Sequence, residues 1–168
     1  MVEMVAMSPE AMKLENAPVV ETGMLMRKPV DEVFEAFVNP EITTKFWFTD
    51  STGPLEPGAE VQWTWSFYGV STPVRVHEFD KNAKLVIEWG ERPASTTFTV
   101  TFTPKGDDAT YVEIKESGFG GDTGDDVVAW ALGSMGGFTQ ALAAFKAYLD
   151  HGIVVRIVAD RFPDGKHS

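Results

Sequence analysis

Apolar and polar residues along this chain follow two different periods, and the changes between them mark out the elements. Val19 to Lys28 is mixed but strand-like and ends at Pro29. From Val30 to Val38 the apolar residues Val30, Val33, Phe34, Phe37 and Val38 recur at helical spacing. Pro29 suits a helix start, and Asp31 and Glu32 favour its positive N-terminal end. Asn39-Pro40 stops it, because the residue before a proline is pushed out of the helical region. A second short helix is expected over Glu41 to Lys45, leading into Phe46-Trp47-Phe48.

The period then becomes two. Val61, Trp63 and Trp65 alternate with Gln62, Thr64 and Ser66, after turn signals at Gly53-Pro54 and Pro57-Gly58. Ser71 to Phe79 reads as a further strand. Leu85, Ile87 and Trp89 alternate with Val86 and Glu88. Phe98, Val100 and Phe102 alternate with Thr97, Thr99, Thr101 and Thr103, and Val112, Ile114 and Glu116 alternate with Tyr111, Glu113 and Lys115. Five consecutive strands joined by short turns predict an antiparallel meander.

After the glycine- and aspartate-rich stretch GFGGDTGDD, the helical period returns from about Thr123 to Asp150. Asp122 or Thr123 is placed to cap this helix, and Gly152 to end it. Its large apolar face comprises Val128, Ala131, Met135, Phe138, Leu142, Phe145 and Leu149; Gly133, Gly137, Gln140, Ala144 and Ala147 form a stripe of smaller residues. At about 1.5 Å per residue, a helix of this length spans about 42 Å, enough to cover a whole sheet. No charge falls between Val127 and Phe145, and Gly133 and Gly137 form a GxxxG. Asp125, Asp126 and Lys146 bound the run, and its small polar residues favour a buried helix of a soluble domain over a membrane span.

Composition narrows the chemistry. The 168 residues carry 25 acidic and 14 basic side chains, a formal net charge of −11. That balance repels phosphate backbones and argues against nucleic acid as partner. There is no cysteine, which removes disulfides, thiolate metal sites and cysteine nucleophiles. The N-terminal stretch lacks the basic and apolar regions of a signal peptide, so a cytoplasmic protein is expected. No cofactor or metal is expected: phosphate-loop spacings are absent, and Asp122, Asp125 and Asp126 do not match a calcium loop.

The segments VETGMLMRKPVDEVFEAFVNPEITTKFWF, LEPGAEVQW, HEFDKNAKLVIEW, STTFTVTFTPKGDDATYVEIKESGF and GGFTQALAAFKAYLDHG, in this order, resemble the activator-of-Hsp90-ATPase-homologue-like family. Phe138 stands where that family's helix usually carries the Trp of a Gly-Trp. The resemblance implies a START-like, helix-grip fold of the α+β class. In it a curved antiparallel sheet of six to seven strands wraps around a long C-terminal helix, with two short helices after strand 1. It also implies a cavity between sheet and helix. The expected organisation is an N-terminal extension (1–18), loosely ordered over 1–17, a domain (19–152) and a C-terminal tail (153–168).

Candidate residues for that cavity are Trp63, Trp65, Trp89, Phe98 and Phe102 from strands, and Met135, Phe138 and Leu142 from the helix. To these are added Trp47 and Phe119. Three large consecutive aromatics cannot all face inward along a strand, so one or two of Phe46, Trp47 and Phe48 are expected to rim a cavity mouth with the Gly118–Gly124 loop, or to form a contact surface. Glu116 continues the inward face of its strand. It is read either as a solvated strand end, as a partner of an arginine such as Arg92, or as a polar anchor or general acid/base in the cavity. His77 reads as a surface strand histidine whose neighbour Glu78 faces the other way, and His151 as a complement to the helix dipole. No catalytic residue is assigned. Three functions follow: binding of a small hydrophobic or aromatic ligand, such as a lipid or polyketide-like molecule; a co-chaperone-like interaction with an Hsp90-like partner; and a cyclase- or hydrolase-type enzyme drawing on Glu116, Tyr111 or His77. A monomer is expected.

Overall fold

The computed structural model describes residues 14–165; most of the expected N-terminal extension, and His167 in the tail, lie outside them. The chain opens with β1 (Val20–Met26), α1 (Val30–Val38) and α2 (Pro40–Thr43). In α1 the helical apolar spacing buries Val33, Phe34, Phe37 and Val38. Asn39 is the hinge between the two helices: its side chain accepts a hydrogen bond from the Glu41 amide at 3.1 Å, and Pro40 occupies the first turn of α2. The fully buried Thr43 donates its hydroxyl to the Ala36 carbonyl at 2.7 Å, tying α2 back to α1.

The meander follows as β3 (Glu60–Trp65), β4 (Val70–Asp80), β5 (Lys84–Trp89), β6 (Thr96–Pro104) and β7 (Thr110–Ser117). A two-residue edge strand, β2 (Asp50–Ser51), was not legible as a period and is held by pairing with β3. The seven strands are ordered β1-β7-β6-β5-β4-β3-β2, antiparallel throughout, so the first strand closes beside the last. Period-two alternation sets the faces: Leu85, Ile87, Phe98, Val100, Phe102, Val112 and Ile114 are buried inward, while their neighbours lie outward. A bulge between Val76 and Glu78 interrupts β4. It leaves His77 and Glu78 both exposed, against the expectation that they face opposite sides.

The helix α3 (Gly124–His151) crosses the sheet. Its start is a capping box: Thr123 accepts from the Asp126 amide, and the Asp126 carboxylate accepts from the Thr123 amide. Gly152 ends it in the left-handed region at φ 66°. By length and composition α3 is apolar enough to cross a membrane. Here the sheet grips it, with Phe138, Ala141, Leu142, Ala144 and Phe145 in the core. Its first half is less enclosed, and Val128, Leu132 and Met135 are exposed. The tail then turns back as α4 (Ile157–Asp160), a short helix packed on α3.

Candidate ligand-binding cavity

Phe46, Trp47 and Phe48 are all buried, which corrects the expectation that the three cannot all face inward, although Trp47 does line the cavity. The physical reason is local. Residues 44–49 form turns rather than a strand, so successive side chains need not alternate. Phe46 stacks on Phe145 with centroids 4.3 Å apart, and Phe48 on Trp63 at 4.5 Å. Trp47 lies between them, 5.0 Å from Trp63, 5.9 Å from Trp89 and 6.0 Å from Phe138. Edge and tilted contacts of this kind are the favoured geometry for packed rings.

Beside this cluster opens a cavity of about 440 Å³. Trp47, Trp65 and Trp89 form its sheet-side wall. Trp130, Gly133, Ser134, Gly137, Phe138 and Gln140 form the α3 wall, and Tyr68 and Val70 together with Val158, Arg161 and Phe162 form the flank. Gly133 borders open space, since a Cβ there would meet nothing within 4 Å. Tyr68 belongs to a single 3₁₀ turn, Ser66–Tyr68, closed by Gly69 at φ 64°. Its hydroxyl donates to the Val158 carbonyl, and it lies 3.3 Å from that of Ala159, which holds the tail against the cavity. The flank is therefore built by the 3₁₀ turn and the tail, not by the Gly118–Gly124 loop.

The eleven candidate residues separate by position. Trp47, Trp65, Trp89 and Phe138 line the cavity. Trp63 and Phe98 pack behind them, each against Trp47 and Trp89. Phe119 packs edge-on against Trp130. Phe102 belongs with Phe34 and Phe37 in the core under α1, and Leu142 is core as well. Met135 is turned outward and 39% exposed, because it lies on the side of α3 away from the sheet. Sequence reasoning missed Tyr68, Trp130, Gln140 and Arg161. The small-residue stripe of α3 was the available signal, since Gly133, Gly137 and Gln140 all lie on the cavity wall.

Glu116 is not a solvated strand end: it is 1% exposed. Its Oε2 accepts from Trp89 Nε1 at 2.9 Å and from Thr96 Oγ1 at 2.6 Å, while Oε1 has no partner among the described residues. It sits behind Trp89 and fixes that indole in the cavity wall. Arg92, offered as its partner, binds Glu88 instead, on the outer face of β5. Glu88 gathers Arg92 (2.7 and 2.9 Å), Arg75 (2.9 Å), Ser95 (2.6 Å) and His77 (2.8 Å). These donors, Arg92 first, hold the Glu88 carboxyl far below the ordinary carboxylate range. Tyr111 lies over Gly23 of β1, so close that a Cβ there would stand 2.3 Å from its hydroxyl. Glu116, Tyr111 and His77 therefore do not converge. Among the described residues, no group of three or more acidic or histidine side chains is arranged to hold a metal.

A long helix gripped by a seven-stranded antiparallel meander, with an aromatic cavity between them, defines the START-like helix-grip class. The sequence profile described as "Activator of Hsp90 ATPase homolog 1-like protein" matches residues 27–150, and the chain belongs to that family. Among solved structures it is similar to the protein SSP2350 from Staphylococcus saprophyticus, at 27% identity and TM-score 0.70, covering 83% of this chain and 96% of that one. It is similar to DynU16, a protein of the dynemicin biosynthetic locus, at 20% identity and TM-score 0.69, covering 81% of this chain and 48% of that one. The Aha1 dimer from Colwellia psychrerythraea shares the fold at 13% identity and TM-score 0.68, covering 80% of this chain and 98% of that one. A comparison with curated protein sequences finds no match.

Proposed function

We propose that the protein binds a small, flat, apolar molecule in the cavity between the sheet and α3, without transforming it. The observation that carries this reading is the wall itself. Trp47, Trp65, Trp89, Trp130 and Phe138 face a space of about 440 Å³, within the range of small-molecule sites. Gly133 and Gly137 keep that space open at some cost to the helix, since glycine in a helix interior is less favourable than alanine by about 1 kcal/mol. Among the described residues, no histidine, aspartate or glutamate lines the cavity, so they offer an acid–base mechanism no imidazole or carboxylate there.

The test is a titration of intrinsic Trp fluorescence with flat apolar compounds, repeated on Gly133→Leu. Saturable quenching in the wild type, lost in the variant, is the expected result. The leucine side chain would project where a Cβ meets open space, so it fills the cavity without a clash at its base. Absence of saturable quenching across lipids, polyketides and aromatic hydrocarbons would overturn the proposal.

One observation favours a second reading. Val128, Leu132 and Met135 are exposed at i, i+4 and i+7 on α3, with Leu132 67% exposed. Such a stripe suits contact with a protein partner of the Hsp90 kind. Stimulation of an Hsp90 ATPase that is lost in Leu132→Glu would support it, and an unchanged ATPase rate with the wild type would dispose of it.

A further inference from the structure

We infer that the cavity selects an acid: an apolar, ring-bearing molecule with one carboxylate, which pairs with Arg161. This rests on the cavity-binding reading and names the ligand class. The tail that supplies Arg161 lies beyond the residues matched by the family profile, so the selectivity belongs to this chain's own C-terminal segment.

Three features carry the inference. The first is electrostatic. Among the described residues no acidic side chain lines the cavity, and Arg161 is the only charged one that does. Among the described residues Arg161 forms no ion pair; its guanidinium lies over the Phe162 ring at 5.1 Å from the centroid. In an apolar surrounding, a guanidinium without a carboxylate favours an anionic guest.

The second is that the position is built. The guanidinium rests in a notch cut into α3 by two adjacent glycines. A Cβ on Gly136 would stand 2.7 Å from Nη2 and 2.8 Å from Nη1, and one on Gly137 would stand 3.5 Å from Nη1. Two mid-helix glycines weaken α3, and the notch is what they provide in return. A guanidinium seated this way has already lost much of its rotamer freedom, so pairing costs less.

The third is the wall beside it. Gln140 lies one turn further along the same face, and its buried amide oxygen has no partner among the described residues. Trp65, Trp89 and Phe138 remain for the guest's apolar body. Arg161 thus supplies orientation, and the rings supply burial.

The experiment compares two probes of nearly the same shape by isothermal titration, 2-naphthoate and the neutral ketone 2-acetylnaphthalene. The wild type is expected to bind the acid at least about tenfold more tightly, the scale of a charge-assisted hydrogen bond. Arg161→Gln should abolish that preference by weakening acid binding far more than ketone binding, and Arg161→Lys should restore part of it. Gly136→Ala provides an independent route. It should keep or raise the melting temperature, because alanine favours the helix, while displacing the guanidinium and lowering acid affinity alone. Equal affinity for acid and ketone in the wild type would overturn the inference and leave the cavity reading standing. Equal weakening of both probes in Arg161→Gln would also overturn it, by showing that Arg161 only props the tail. Failure of both probes to bind the wild type would overturn the cavity reading and this inference together.

Discussion

Trp47→Ala is expected to destabilise the protein severely, because the indole is packed where turn residues would ordinarily meet water. Trp47 is 7% exposed and contacts Phe37, Trp63, Trp89, Phe98 and Phe138 at centroid distances of 5.0–6.4 Å. Burying an aromatic side chain removes on the order of 200 Å² from water, worth about 5 kcal/mol at about 25 cal/mol per Å². Truncations of buried Phe or Trp to Ala cost about 3–5 kcal/mol. Trp47 also walls the cavity, so water can reach part of the space it vacates, and a loss near 3 kcal/mol follows. For a chain of this size that lowers the melting temperature by about 6–12 °C. Urea unfolding followed by far-ultraviolet circular dichroism measures it without relying on the deleted fluorophore. A loss under about 1 kcal/mol would refute the reasoning and place Trp47 at a solvated rim.

Other outcomes follow from the same geometry. Leu142→Ala, in the core, should cost about 2–5 kcal/mol, whereas Met135→Ala, turned outward, should cost under about 1 kcal/mol; comparable losses in urea unfolding would show that the two faces of α3 are misassigned. Thr123→Ala removes one half of the α3 capping box and should cost about 1 kcal/mol, read from the same curves. The Glu88 carboxyl is held below its ordinary value of 4.5, so its ion pairs stabilise the fold fully above that pH. That contribution is lost as pH falls through the acid range. Glu88→Gln should lower stability at neutral pH and flatten its decline between about pH 4.5 and pH 3; a decline as steep as the wild type's would assign the acid sensitivity to other carboxylates.

The sheet was legible because its strands obey period two. Leu85, Ile87, Phe98, Val100, Phe102, Val112 and Ile114 read as one face and are one face. The α3 boundaries were legible from Thr123 and Gly152, whose cap roles depend only on neighbouring residues. Failures came where the backbone leaves its period. Phe46, Trp47 and Phe48 sit in turns, and His77 sits beside a bulge that depends on pairing with β5. Met135 shares its helical spacing with Phe138 and Leu142, but the sheet encloses only part of the α3 circumference. Glu116 read correctly as an inward position. Its partners Trp89 and Thr96 come from other strands, and no local spacing could name them. Arg161 was the hardest residue to find, because it reaches the cavity only through a tail turned back on Tyr68.

The most direct measurement is a crystal structure of the protein soaked with 2-naphthoate. Density for the rings is expected in the cavity against Trp65, Trp89 and Phe138, with a carboxylate oxygen about 3 Å from an Arg161 nitrogen. An empty cavity at saturating ligand, or naphthoate bound only elsewhere on the surface, would contradict the cavity as the binding site.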